Sequence, residues 1–308
     1  MIKIFKNSEN GLQEIENPET GCWIKAIDPT ASEKALLKSL EINEDYLVYS
    51  LDPDERARIE KDGHLLILLR IPYYGGESED IPFTTITLGI IITDEFMVTI
   101  CKQPTDILDR FALGTYRGFS TTKFYRFVLQ ILLLTANTYL QYLHQITRKV
   151  DALEDNLEKS TRNKEVLGLL KYQKSLTHFT TALKSNELMM KRLQNNPVFK
   201  KFPEDEDLLE DVLTETQQAI ETTNIQSNIL SGMMDAFASI ISNNLNGVMK
   251  FLASVTIIIS LPTMIASFFG MNLDNPLAAH PWGFTVTVVG SLVIAVGVGV
   301  FFGHRDWL

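Results

Sequence analysis

The spacing of apolar and polar positions changes character twice along this 308-residue chain. As far as Cys101 it consists of short β-rich runs bounded by Gly, Asp and Pro: Ile2 to Phe5, Cys22 to Ile27, His64 to Pro72, Phe83 to Ile92 and Phe96 to Cys101. Helical pieces lie between them. Asp28-Pro29 reads as an N-cap followed by proline at the first helical position, and a second piece covers Asn43 to Leu51. Together these predict an α/β domain. From Thr121 the strand pattern vanishes, and a long helix is predicted as far as about Ser160. Its Phe127-to-Leu134 run, interrupted by Gln130, is too short for a bilayer and reads as core. Arg162-Asn163 makes a turn. A partner helix follows from Lys164 to about Asn195, with Leu167, Leu170, Leu183 and Leu188 expected on its apolar side. Asn195-Asn196-Pro197 and Phe202-Pro203 then break the pattern.

From Glu204 no strong break appears until Pro262. Continuous helix from there to Gly270 would be roughly 100 Å long at 1.5 Å per residue. Its last part, Phe251 to Phe269, is almost free of charge, and a second apolar run extends from Trp282 to about Phe302. A helical span needs about 20 apolar residues, and both runs meet that length. Proline is tolerated within such spans because neighbouring groups satisfy the freed carbonyl. The expected fold is an α+β membrane protein. Residues 1–203 form a cytoplasmic α/β domain with a helical hairpin, and 204–250 form a stalk helix. Transmembrane helices cover 251–270 and 282–303, joined by an outer loop over 271–281 and followed by a tail over 304–308.

The first span carries a polar stripe. Asn246, Thr256, Ser260, Thr263, Ser267 and Gly270 recur at steps of three and four, with one gap filled by Met249 and Leu252 or Ala253. That spacing places them on one helix face, which continues inward through Ser239 and Ser242. Polar groups in lipid cost free energy unless paired or wet, so the stripe faces either another helix or water. Spacing alone leaves seam and pore both open. In the second span Ser291, Ala295, Gly299 and Gly303 recur at steps of four, a pattern of small residues that suits close helix packing. Two spans cannot enclose a pore, so a pore requires a cyclic homo-oligomer.

Composition narrows the partners. The formal charge of −10 argues against nucleic acid, and suits either ordinary solubility or attraction of cations. Met1 to Thr30 has no apolar h-region, so both termini are expected on the cytoplasmic side. Lys250, His304 and Arg305 give thin positive-inside support. Cys22 and Cys101 read as small buried residues in a reducing compartment. No Gly-rich phosphate loop, His-Glu-x-x-His, Cys-x-x-Cys or nucleophile elbow occurs, and the five histidines show no ligand spacing. An enzyme is not indicated.

Met234-Asp235-Ala236-Phe237, Ser242-Asn243-Asn244-Leu245-Asn246, Val248-Met249-Lys250, Leu261-Pro262-Thr263 and Phe269-Gly270-Met271-Asn272 occur in this order, and the chain closes on Trp307-Leu308. This set resembles the CorA-type divalent metal ion transporters. The resemblance implies a homopentameric channel in the cytoplasmic membrane. Each subunit would contribute a cytoplasmic α/β/α domain, a stalk helix continuing into the inner membrane helix, and an outer helix against lipid. It implies no cofactor, with Mg2+ as the transported and regulatory ion and Co2+ or Ni2+ also passed. Asn272 would form the outer ring that receives the hydrated ion, with Gly270 and Met271 shaping its turn. Thr263 and Asn246 would be polar rings, and Met249 and Leu252 the apolar gate. Asp211 matches, by position, an aspartate at which relatives sense metal between subunits. Its expected partners are near Asp52 and Asp54, in a Leu51-Asp52-Pro53-Asp54-Glu55-Arg56 pattern that differs from the family's usual form. The plainer reading of Glu204 to Asp211 is a solvated acidic face stabilised by the helix dipole. Asp235 is placed to concentrate cations near the inner mouth. Two departures bear on ion preference. The outer loop has Asp274 as its only acid, and the tail has little of the usual basic cluster. The alternatives are a zinc transporter of the same family, and a membrane-anchored helical scaffold in which the stripe is a seam.

Overall fold

The computed structural model describes residues 1–8, 11–159, 163–200, 202–271, 280–305 and 307. They form two compact units, Met1–Gly232 and Met233–Leu308.

The first unit is built on a seven-stranded sheet. Its strands are β1 (Ile2–Ser8), β2 (Gly11–Ile15), β3 (Trp23–Ile27), β4 (Arg58–Asp62), β5 (His64–Tyr74), β6 (Phe83–Ile92) and β7 (Met97–Cys101). The order across the sheet is β2-β1-β3-β7-β6-β5-β4. β3 and β7 pair parallel, and the other neighbours pair antiparallel. β2 and β4 escape the hydrophobic pattern because they are edge strands. Their sequences, Gly-Leu-Gln-Glu-Ile and Arg-Ile-Glu-Lys-Asp, carry the charges that keep an open edge from pairing with other chains.

Helices cover both faces, giving an α/β/α sandwich. Along β5, Leu65, Ile67, Leu69 and Ile71 point into one core and Leu66 and Leu68 into the other, as the period of two requires. The second core is closed by α1 (Ala31–Ser39) and α2 (Glu44–Leu51) through Leu37, Tyr46 and Leu47. The first is closed by α3 (Asp106–Ala112), α4 (Phe124–Lys159) and the end of α5 (Asn163–Gln194). Leu209 and Val212, near the start of α6 (Pro203–Phe269), join that core. The predicted core run of α4 is buried except for the half-buried Leu133, and the interrupting Gln130 donates its amide to the Gly118 carbonyl at 3.4 Å.

Two expectations are corrected here. α1 is capped by Thr30, two residues later than Asp28-Pro29 suggested. The Thr30 hydroxyl accepts from the Glu33 N–H while the Glu33 carboxylate accepts from the Thr30 N–H, a reciprocal box that a lone Asp28 cap cannot match. The Thr30 N–H, with a further N–H from Ile2, holds the Glu33 carboxyl down to about 2 although burial opposes this. On α5 the buried side is Leu169, Tyr172, Leu176, Phe179 and Leu183, whereas Leu167 and Leu188 are 60% and 65% exposed and Leu170 is also exposed. Of the four leucines singled out from the sequence, Leu183 alone faces the core. The expected turn includes Arg162, which lies outside the described residues.

Gly89 is the position in the sheet where size matters most. A Cβ built there would stand 1.8 Å from the Ser50 hydroxyl and 2.5 Å from the Ser50 Cβ, because α2 lies directly on β6. The Ser50 side chain is fully buried and hydrogen-bonded to the Tyr46 carbonyl, so it has no room to swing away. Gly89→Ala should therefore push α2 off the sheet and cost about 3 kcal/mol, the upper part of the overpacking range. A thermal melt of the full-length protein in detergent checks this. A melting temperature equal to wild type would show that α2 is not held at that distance.

Candidate functional site

The second unit contains the end of α6 and all of α7 (Gly283–Gly303). Both helices are long and apolar enough to cross a membrane. Trp282 stands before α7 and Trp307 after it, so aromatic side chains bracket 21 residues of helix, about 31 Å at 1.5 Å per residue. That matches the hydrocarbon thickness, and tryptophan prefers the interfaces at its two limits.

The two helices pack as an antiparallel hairpin along one face of each. On α6 the covered positions are Ser254, Val255, Ile258, Leu261, Pro262 and Ile265, buried or half-buried. On α7 the covered side is made of small residues: Gly283, Ser291 and Ala295 are buried and Gly299 is half-buried. A Cβ on Gly299 would lie 3.6 Å from the Ile258 Cδ1, so the glycine lets α7 reach an isoleucine of α6. The step-of-four pattern Ser291–Ala295–Gly299 is thus the seam, while Gly303 is exposed and outside it. Two α7 hydroxyls return to their own helix, Thr287 to the Gly283 carbonyl at 2.9 Å and Ser291 to the Val288 carbonyl at 2.8 Å.

The polar stripe of α6 lies away from this seam. At 100° per residue, the centre of Thr256, Ser260, Thr263 and Ser267 falls about 160° from the centre of Ser254, Ile258, Leu261 and Ile265. All four stripe residues are exposed, as are Asn246 and Gly270. Met249 and Leu252, on the same side, are 63% and 56% exposed. The stripe is therefore not a seam with the chain's own second span. Thr256 donates its hydroxyl to the Leu252 carbonyl at 2.7 Å, Ser260 to Ile257 at 3.0 Å and Thr263 to Ile259 at 3.1 Å. With each proton committed to the backbone, the oxygen keeps acceptor capacity on the open side. A row of neutral acceptors suits the outward-pointing hydrogens of water around a cation.

At the outer end, the Gly270 N–H closes on the Ala266 carbonyl at 3.0 Å and the Met271 N–H on Phe268 at 3.4 Å, so both residues cap α6. Met271 is exposed. Asn272, like Asp274 in the outer loop, lies outside the described residues.

The acids singled out from the sequence are dispersed. Asp52 caps α2, and its carboxylate accepts the Asp54 N–H at 2.9 Å; both side chains are exposed. Asp211 and Asp235 are exposed on α6. Among the described residues no three His, Cys, Asp or Glu side chains converge as metal ligands. One contributor was missed in the sequence: Arg70, in the middle of the apolar β5. Its guanidinium donates to the Pro53 and Glu55 carbonyls, to the Thr85 carbonyl at 3.1 Å, and to the Thr85 and Thr87 hydroxyls at 2.8 Å. Thr87 in turn donates to the Asp52 carbonyl at 2.7 Å. Burial lowers the Arg70 pKa from its ordinary value, with Tyr139, Asp54 and Asp52 offsetting part of that shift. The Asp52–Glu55 turn is thus pinned through its carbonyls from the sheet below, with the Asp52 and Asp54 side chains exposed and the Glu55 carboxylate paired with Arg58. An arginine inside an otherwise apolar strand was the available signal.

Comparison with known proteins adds four findings. The family described as "CorA-like Mg2+ transporter protein" matches residues 18–305. The cobalt/magnesium transport protein CorA of Thermotoga maritima is 24% identical over 265 residues, 84% of this chain and 74% of that protein. The complete structure of the CorA magnesium transporter from Methanocaldococcus jannaschii aligns with a TM-score of 0.86 at 24% identity, covering 100% of this chain and 99% of that one. The cytoplasmic domain of ZntB from Vibrio parahaemolyticus shares the fold more distantly, with a TM-score of 0.59 at 14% identity, over 79% of this chain and 97% of that domain.

The seam predicts a size limit at Gly299. Gly299→Ala adds a methyl at ordinary contact distance and should leave the protein intact. Gly299→Leu should separate the helices and lower the melting temperature of the detergent-solubilised protein by several degrees, the equivalent of about 1–3 kcal/mol of overpacking. Equal melting of both variants would place the seam elsewhere.

Proposed function

The chain belongs to the family of CorA-like Mg2+ transporters, and from that membership we propose that it conducts Mg2+, and also Co2+ and Ni2+, inward across the cytoplasmic membrane through a pore lined by α6 from five copies. Membership makes it a divalent-cation transporter rather than an enzyme. The observation that carries the pore reading is the exposed polar stripe lying opposite the α6–α7 seam. One hairpin covers one side of α6 and cannot wrap the other, so a ring of copies is the arrangement that turns every stripe toward a common axis while each α7 faces lipid.

In this reading Asn272 forms the outer ring, where a neutral amide bonds the hydration shell of an ion that sheds water reluctantly. Thr263, Ser260 and Thr256 continue the row of acceptor oxygens, followed by the apolar constriction at Leu252 and Met249 and a polar ring at Asn246. Apolar rings close a pore by dewetting. The membrane potential supplies roughly 2.3 kcal/mol per charge per 100 mV, about 4.6 for a divalent ion, so inward flow needs no ATP. Asp235 concentrates cations at the inner mouth. Cytoplasmic Mg2+ held between subunits by Asp211 and the Asp52–Asp54 turn stabilises the closed ring. Both termini are cytoplasmic.

Flux into proteoliposomes tests this. Mg2+, Co2+ and Ni2+ should enter faster when the interior is made negative, and Asn272→Ala should lower entry by at least about tenfold with the oligomer intact, the scale expected when about 1.4 kcal/mol of ion stabilisation is lost. Absence of flux for all three ions would remove the transport reading. Zinc movement that follows a proton gradient alone would favour the zinc-transporting alternative. Mg2+ should protect the wild-type protein from protease more than it protects Asp211→Ala. Equal protection returns Asp211 to a solvated helix face.

A further inference from the structure

α7 does not end as a free stub. The His304 N–H closes on the Val300 carbonyl at 3.0 Å, and the Arg305 and Trp307 N–H groups both return to the Phe302 carbonyl at 3.1 Å. This turn stacks the Trp307 indole on the Phe302 ring, with centroids 5.5 Å apart and planes 10° from parallel. It also brings the Trp307 carbonyl to the Ser254 hydroxyl, which donates to it at 3.4 Å. Ser254 is fully buried, although Phe251, Leu252 and Ala253 just before it are exposed. One turn further along α6, Ile258 meets Gly299. The inner half of the hairpin therefore has two fastening points, about 6 Å apart along α6.

Leu252 lies two residues before Ser254, about 3 Å along the axis and on the opposite side of the helix. On its own side it is open, so its position is set from behind. The hydrogen bond is long and weak by itself. The aromatic stack adds to it, and an indole at the interface resists movement across it.

We propose that Trp307 is a positioning residue for the pore constriction: by closing the tail onto Ser254 it fixes the height of Leu252 in the ring formed by the copies of α6. The inference rests on the reading of Met249 and Leu252 as that constriction. An apolar ring excludes water only while it is narrow, so a constriction freed to relax outward wets and conducts more.

The experiment measures Mg2+ flux into liposomes carrying the full-length protein, over a range of external Mg2+. Trp307→Ala should raise maximal flux by about threefold or more, because the loosened ring wets more often. The external KM should stay unchanged, since the outer mouth is about 27 Å from Leu252 at 1.5 Å per residue. Trp307→Phe keeps a ring on Phe302 and should restore flux to near the wild-type level. Ser254→Ala removes a single hydroxyl without endangering the helix, and should move flux in the same direction by less. Leu252→Ala reports on the underlying reading. If it changes flux while Trp307→Ala and Ser254→Ala do not, the positioning role is wrong and the constriction stands. If Leu252→Ala leaves flux unchanged, the constriction reading fails and the positioning role fails with it. A Trp307→Ala change in which KM moves together with maximal flux also overturns the proposal, because it would assign the tail to assembly or to the mouth.

Discussion

Two apolar helices in lipid gain nothing from hydrophobic burial against each other, so their contact depends on how closely their surfaces approach. In this protein the side of α7 that is covered carries Ser291, Ala295 and Gly299, and Gly299 faces Ile258 of α6. The consequence is one-sided cover. A bulky α7 face would have had no preferred side of α6 to dock on. A small-residue stripe commits it to the side away from Thr256, Ser260, Thr263 and Ser267. The uncovered hydroxyls of Thr256, Ser260 and Thr263 are bonded to their own backbone, so these three donors are satisfied within the helix. Their oxygens keep acceptor capacity on the open side of α6.

The α/β/α unit obeys the same logic of satisfying polar groups before exposing them. Arg70 would be a costly inclusion in an apolar strand if it were unpartnered. It is made affordable by carbonyls of the Asp52–Glu55 turn and by Thr85 and Thr87 on the neighbouring strand β6. The turn is thereby held from beneath, and the carboxylates of Asp52 and Asp54 remain exposed. Gly89 acts similarly on a smaller scale, since its missing side chain is the space into which Ser50 of α2 fits.

Much of this was legible in the sequence because the signals were strong and periodic. The five apolar strands, the buried run of α4 and both membrane helices appear within a few residues of their expected limits. The small-residue stripe of α7 could be read as a packing face, and the structure supplies its partner. What escaped notice was weak locally. β2 and β4 are charged edges without an apolar run, and α3 is only seven residues long. On α5, Leu167, Leu170 and Leu188 pointed to the wrong side, because Tyr172, Phe179 and the paired methionines Met189 and Met190 share the burial with Leu169, Leu176 and Leu183. The Arg70 anchor links residues distant in sequence and leaves no local pattern. The stripe itself could be seen, but its direction could not, since direction depends on where α7 docks. The family resemblance on Gly270-Met271-Asn272 and the stalk residues proved sound at the level of the family.

The central claim is that the face of α6 opposite the seam is wet in the assembled protein. It is tested most directly by single cysteines along α6, treated in proteoliposomes with a charged, membrane-impermeant thiol reagent while Mg2+ flux is followed. The native Cys22 and Cys101 are fully buried in the α/β/α unit and give a low background. Cysteines at Ser260, Thr263 and Ser267 should react and block flux, whereas those at Ile258, Leu261 and Ile265 should not. Equal reaction around the helix, or reaction confined to the seam positions, would contradict the account.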